Sequence, residues 1–122
     1  DIMNTIEKLT TTVIGKDPQK WRNFTSHYSR VYNASQLDFD RQLNLIIIWL
    51  QGANRLRQNL VSGFERTGLH SRMISFNEKF PNANIYKIIL CIEEVKSLAR
   101  QNLYMPLILL NMLLDIQELI YE

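Results

Sequence analysis

The stretch IYKIILCIEEVKSLARQNLYMPLILLNMLLDIQELIY, residues 85–121, decides the fold. Ile85, Ile88, Ile92, Val95 and Ala99 recur at steps of three and four, with Ile89 and Leu103 widening the stripe. That is the period of one face of an α-helix. Asn84 stands ahead as a cap, so the spacing predicts a helix over about 85–103. Glu93, Glu94, Lys96 and Arg100 lie off the stripe. Only Glu93–Lys96 and Lys96–Arg100 share a face, and of these only Glu93–Lys96 pairs opposite charges, a favourable contact worth about 0.2–0.5 kcal/mol. Pro106 then sits where a first helical turn accepts proline, which predicts a last helix over about 105–121. Its polar residues, Asn111, Asp115, Glu118 and Glu122, form one narrow stripe. A surface helix of a monomer shows a wider polar face, so this helix is either central or turned in part toward another chain. Leu103 to Ile116 is broken by Pro106, Asn111 and Asp115 and falls short of the roughly 20 apolar residues that span a bilayer.

Upstream, the same logic predicts more helices. Ile2, Ile6, Leu9 and Val13 mark one over about 2–14, weakened by Thr10, Thr11 and Thr12 and stopped by Gly15. Asp17 and Pro18 are a cap and a first helical residue, and Trp21, Phe24, Tyr28, Val31 and Tyr32 follow as a core-facing aromatic stripe. Ser35 and Asp38 read as a capping box opening a long helix over about 36–60. That helix carries two stripes: Phe39, Leu43, Ile46, Leu50 and Ala53, and Leu45, Trp49, Gly52 and Leu56. Apolar on two sides, it is expected at the centre, with Gly52 at a close helix crossing. Gly63 and Gly68 mark a loop, and 73–80 a short helix. The expectation is one all-α domain, a bundle of five to six helices.

The totals agree. The chain has 122 residues, enough for one domain, and 46% of them are apolar. The net charge is only +2, too small to signal nucleic acid by itself. Arg41, Arg55, Arg57, Arg66 and Arg72 face one acid, Glu65, over residues 41–72; a solvated face is the expected reading. Cys91 is the only cysteine, so no internal disulfide and no cysteine-based metal site can form. A buried thiol in a reducing, cytoplasmic setting is expected. The chain starts at Asp1 without methionine and reads as a piece of a longer protein.

Catalytic signatures are scarce. Neither a phosphate loop nor a dinucleotide fingerprint is present, and His27 and His70 stand in no metal-binding motif. Asp38/Asp40 and Glu93/Glu94 point apart on a helix and make no acid/base pair. No catalytic, cofactor or metal site is predicted. The alternative rests on Arg22-Asn23 followed by His27, which resembles the R-N-x-x-x-H motif of the HEPN family of helical ribonucleases. The resemblance implies that arginine polarises phosphate and histidine moves a proton. Arg22 and His27 would lie about 140° apart around one helix.

Across residues 17–121 the chain resembles the collar domains of bacterial DNA polymerase III clamp-loader subunits, of the delta-prime type. The motifs are Asp17-Pro-Gln-Lys-Trp21, Phe39-Asp-Arg-Gln-Leu43, Ile48-Trp-Leu50, the turn asparagine Asn102, and the run Leu107, Leu110, Leu113 and Leu114. Tyr104 and Asn111 depart from it, where a second asparagine and an acid are common. The resemblance implies a scaffolding role, packed against collar domains of the delta and gamma/tau types. ATPase modules would lie elsewhere, and DNA would be reached only indirectly. Trp49, Arg100, Asn102, Tyr104 and Met105 are the expected interface anchors.

Overall fold

In the computed structural model, residues 2–15 and 17–121 are described, with side chains from Asn4 onward. The described residues form six helices and no strand: α1 (Ile2–Ile14), α2 (Pro18–Ala34), α3 (Gln36–Arg57), α4 (Gly68–Lys79), α5 (Ile85–Ala99) and α6 (Met105–Ile120). The all-α bundle is as the periodicity predicts. The side chain of Ile2 and the last stripe residue, Glu122, lie outside the described residues.

The helix starts follow from local chemistry. Asp17 accepts from the Gln19 amide at 2.9 Å, and Pro18 follows at the first helical position. Ser35 is the whole link between α2 and α3. Its hydroxyl accepts from the Asp38 amide at 3.1 Å, and its own amide donates to Val31 at 2.9 Å to close α2. That amide is therefore not available to Asp38, so the expected capping box is only half made. Thr67 caps α4 through the Leu69 amide, and Asn84 caps α5 through the Lys87 amide. The expected short helix, 73–80, thus begins five residues earlier, at Gly68.

α3 occupies the centre and packs on α1, α2, α4 and α5, while α6 packs on α5, α2 and α1. The α5 stripe is buried at all five predicted positions, and Phe39, Leu43, Ile46, Leu50 and Ala53 of α3 are buried with it. On the second α3 stripe Trp49 and Gly52 are buried, but Leu45 stays half-exposed beside Ile48. Gly52 lies where α3 and α4 approach: a Cβ there would stand 2.7 Å from Met73 Cε and 3.3 Å from the Ser62 carbonyl.

Several ties join distant segments. Tyr32 donates its buried hydroxyl to the Ala99 carbonyl at 2.7 Å, closing the end of α5. Trp21 Nε1 reaches the Gly15 carbonyl at 3.3 Å, and Gln117 Nε2 the Val13 carbonyl at 2.8 Å. Both satisfy carbonyls that the end of α1 leaves open. Lys96 bonds Asn44 across the α3–α5 contact and pairs with Glu93 at 3.6 Å.

The α5–α6 turn explains Asn102. Its φ is +55°, the left-handed region, which asparagine tolerates better than other non-glycine residues. Asn102→Gly is expected to keep full stability, and Asn102→Val to lose about 1–2 kcal/mol, read by urea denaturation.

Candidate interaction surface

α6 buries Met105, Leu109, Met112, Leu113, Ile116 and Ile120. Three further leucines stay at the surface: Leu107 is 54% exposed, Leu110 37% and Leu114 45%. At about 100° per residue they occupy the part of the exposed face nearest α2, whereas Asn111, Asp115 and Glu118 turn toward α5. The helix is therefore split on its outer side into an apolar half and a polar half.

The apolar half forms one wall of a groove of about 590 Å³. Leu107, Leu110, Pro106 and Tyr104 come from the α6 side, and Pro18, Trp21, Arg22 and Thr25 from α2. Among the described residues Arg22 is the only charged one in its lining, held by Gln19 Oε1 at 3.0 Å. Such a groove can bury aliphatic and aromatic side chains of a partner, with one cation at the rim for a carboxylate.

Tyr104 opens this surface. It is the N-cap of α6, yet it makes no side-chain cap bond, and it is 72% exposed. α6 also has no acid in its first turn. Helices prefer Ser, Thr, Asp or Asn at this position. α2, α3, α4 and α5 all use such a residue; α6 carries an exposed aromatic ring instead.

Of the expected anchors, Arg100, Asn102 and Tyr104 are exposed and close in sequence to the groove. Trp49 and Met105 are not surface residues. Trp49 is 1% exposed, packed edge-on to Phe76 at 5.4 Å, and its indole N–H meets no acceptor among the described residues. Met105 points inward from the first turn of α6. Trp21, Leu107 and Leu110 line the groove although none was expected as an anchor. Trp21, expected on the core-facing stripe of α2, is only half-buried, and Leu107 and Leu110, quoted in the leucine run, lie off the buried stripe of α6.

Three of the five arginines of the 41–72 stretch are engaged within the chain. Arg57 donates to Asn77 Oδ1 at 2.7 Å, to the Ala83 carbonyl at 2.6 Å and to the Phe80 carbonyl. Arg72 pairs with Glu7 of α1, and Arg41 lies 3.8 Å from Asp38.

The ribonuclease pair is not brought together. Arg22 lines the α2–α6 groove, while His27 lines a different cleft between α1 and α2. A Ser–His–Glu grouping does occur between the α3–α4 loop and the first turn of α4, where Ser62 Oγ lies 3.1 Å from both His70 Nδ1 and Glu65 Oε2. Ser62 is 2% exposed, and it also accepts from the Phe64 amide. Glu65 holds the serine and the Gly63 amide rather than orienting the imidazole, so the grouping staples the loop. The Gly63 amide bond, first among its contacts, holds the Glu65 carboxyl below its ordinary range. This contact stabilises the loop above the ordinary glutamate value and fades as pH falls through the lowered one.

Cys91 is half-buried rather than fully enclosed as expected. Burial, with Asp115 and Glu94 nearby, pushes its thiol up to about 11. The thiol stays protonated at neutral pH and is a poor nucleophile. Among the described residues no group of His, Cys, Asp and Glu could hold a metal ion, and no helix is long and apolar enough to cross a membrane. No family model, curated protein or solved structure matches the chain.

Proposed function

We propose that this chain is a non-catalytic assembly domain that docks on a partner protein through the α2–α6 groove. The observation that carries the reading is the exposed row Tyr104, Leu107, Leu110 and Leu114, which begins at a helix cap given up to an aromatic ring. Water-exposed leucines in a row are costly for a lone domain and useful at an interface. Tyrosine is among the residues that dominate interface energies. A standard interface needs about 800 Å² from each partner.

The sequence resemblance gives the proposal its specific form: a cytoplasmic, delta-prime-like clamp-loader collar, seated among collars of the delta and gamma/tau types. Its role there is to hold neighbouring subunits in register, not to hydrolyse ATP. The test is co-expression with delta- and gamma/tau-type subunits followed by size-exclusion chromatography. Co-elution is expected. A folded chain that elutes apart from all of them removes the clamp-loader assignment.

Tyr104→Asp separates stability from docking. Aspartate can cap α6 and meets the positive end of its dipole, so the isolated chain should gain about 1 kcal/mol. The same variant should lose partner binding. Thermal denaturation and co-elution read the two effects, and a variant gaining neither stability nor a binding defect contradicts the role given to Tyr104.

A further inference from the structure

We infer that the cleft between α1 and α2 binds the phosphate backbone of a nucleic acid without reading its sequence. This goes beyond the assembly role, in which DNA is reached only through partners, and it rests on a different face of α2.

Three of the cations of the first two helices, Lys8, Lys20 and Arg30, line this cleft. Residues 1–34 hold five lysines and arginines against three acids, while the rest of the chain balances nine against nine, so the whole net charge of +2 lies in this segment. Lys8 and Thr11 of α1 face Lys20, Asn23, His27 and Arg30 of α2 across a cleft of about 630 Å³. Among the described residues the one acid lining it, Glu7, is engaged by Arg72, and Asp17 is committed to its cap. Cations, amides and hydroxyls therefore dominate the walls, the donor set that phosphate oxygens accept from.

The layout favours a chain of anions over a single one. Lys20, Asn23, His27 and Arg30 recur along α2 at three, seven and ten residues, a row of about 15 Å. That length covers about four phosphates of one duplex strand, at roughly 3.4 Å each along the axis. The His27 imidazole is held below its ordinary value by burial first and then by Lys8 and Arg30, so those two cations are electrically close to it. Phe24 and Tyr28 of the cleft are buried, and the His27 imidazole is packed edge-on against Tyr28 at 4.9 Å, so among the described residues the cleft offers no exposed Phe, Tyr or Trp platform for a base. Binding therefore reads charge and not sequence.

The test is fluorescence anisotropy of the full chain with a labelled duplex of about 20 base pairs, at low and moderate salt. Three phosphate contacts, from Lys8, Lys20 and Arg30, predict a log–log salt slope near −2.7, or roughly a 40-fold loss between about 50 and 200 mM salt. The double variant Lys20→Glu/Arg30→Glu should weaken binding at least tenfold with its melting temperature unchanged. Arg66→Glu/Lys87→Glu makes the same change in net charge elsewhere on the surface and should weaken it less than threefold. Equal losses in the two doubles, a flat salt response, no binding at low salt, or equally good displacement by poly-glutamate would each overturn the assignment. Co-elution with a protein partner through the α2–α6 groove is unaffected by any of these outcomes.

Discussion

Replacing Arg57 with alanine is expected to destabilise the chain by about 2–4 kcal/mol, lowering the melting temperature by roughly 10 °C at this size. One guanidinium, at the last position of α3, holds the Asn77 side chain of α4 and the carbonyls of Phe80 and Ala83 in the α4–α5 link. Phe80 and Ala83 are buried, so without Arg57 their carbonyls lose a partner where water reaches poorly. Each carbonyl keeps one backbone donor, the Ala83 amide at 3.2 Å for Phe80 and the Ile85 amide at 3.1 Å for Ala83, so what is lost is the charged donor, worth about 1.5–3 kcal/mol per hydrogen bond. Asn77 also donates to the Ala53 carbonyl at 2.9 Å, so the clamp joins both ends of the α3–α4 contact to the start of α5. Arg57→Lys keeps the charge but loses the planar fork, and should restore less than half of the loss. Because Arg57 and Asn77 share one network, their alanine variants should be non-additive. Equilibrium unfolding in urea checks all three, and an Arg57→Ala chain as stable as the parent contradicts the clamp.

The second large effect falls at Gly52. Leucine there should cost about 3 kcal/mol, because its side chain must displace the fully buried Met73 and press on the Ser62 backbone. Alanine is a closer contest. It gains up to about 1 kcal/mol of helix propensity and loses it again to the contact with Met73. In a Met73→Ala background most of that clash disappears, so Gly52→Ala should turn stabilising. Calorimetry of the four chains in this cycle reads the change of sign. A glycine kept for any other reason would show the same effect in both backgrounds.

Much of the fold was legible because periodicity is local. The α5 face, the α2 cap and the central position of α3 all follow from residues within one or two turns of each other. The misses have two physical causes. Gly68 reads as a loop residue, but as the first residue of α4 it needs no side chain, and Thr67 supplies the cap. Arg57 reads as a surface charge, since nothing nearby reveals partners 20–26 residues further on. The candidate surface was half legible. The narrow polar stripe of α6 told of surplus apolar area, but not which leucines stay outside. Trp49 looked like an anchor because large aromatics suit interfaces as well as cores, and only its placement against Phe76 decides between them. Asn102, quoted for the family resemblance, has an independent backbone reason to be asparagine.

The central claim is that the apolar half of α6 exists for a partner. The most direct measurement is size-exclusion co-elution of this chain with the delta- and gamma/tau-type subunits proposed as its partners, comparing the parent with Leu107→Glu/Leu110→Glu. Leu107 is 54% exposed and Leu110 37%, neither belongs to the buried stripe of α6, and a glutamate at position 107, in the first turn, suits the helix dipole. The double variant should fold with unchanged circular dichroism and a melting temperature within a few degrees of the parent's, and should elute alone. A folded variant that still co-elutes with the parent's affinity would contradict the claim.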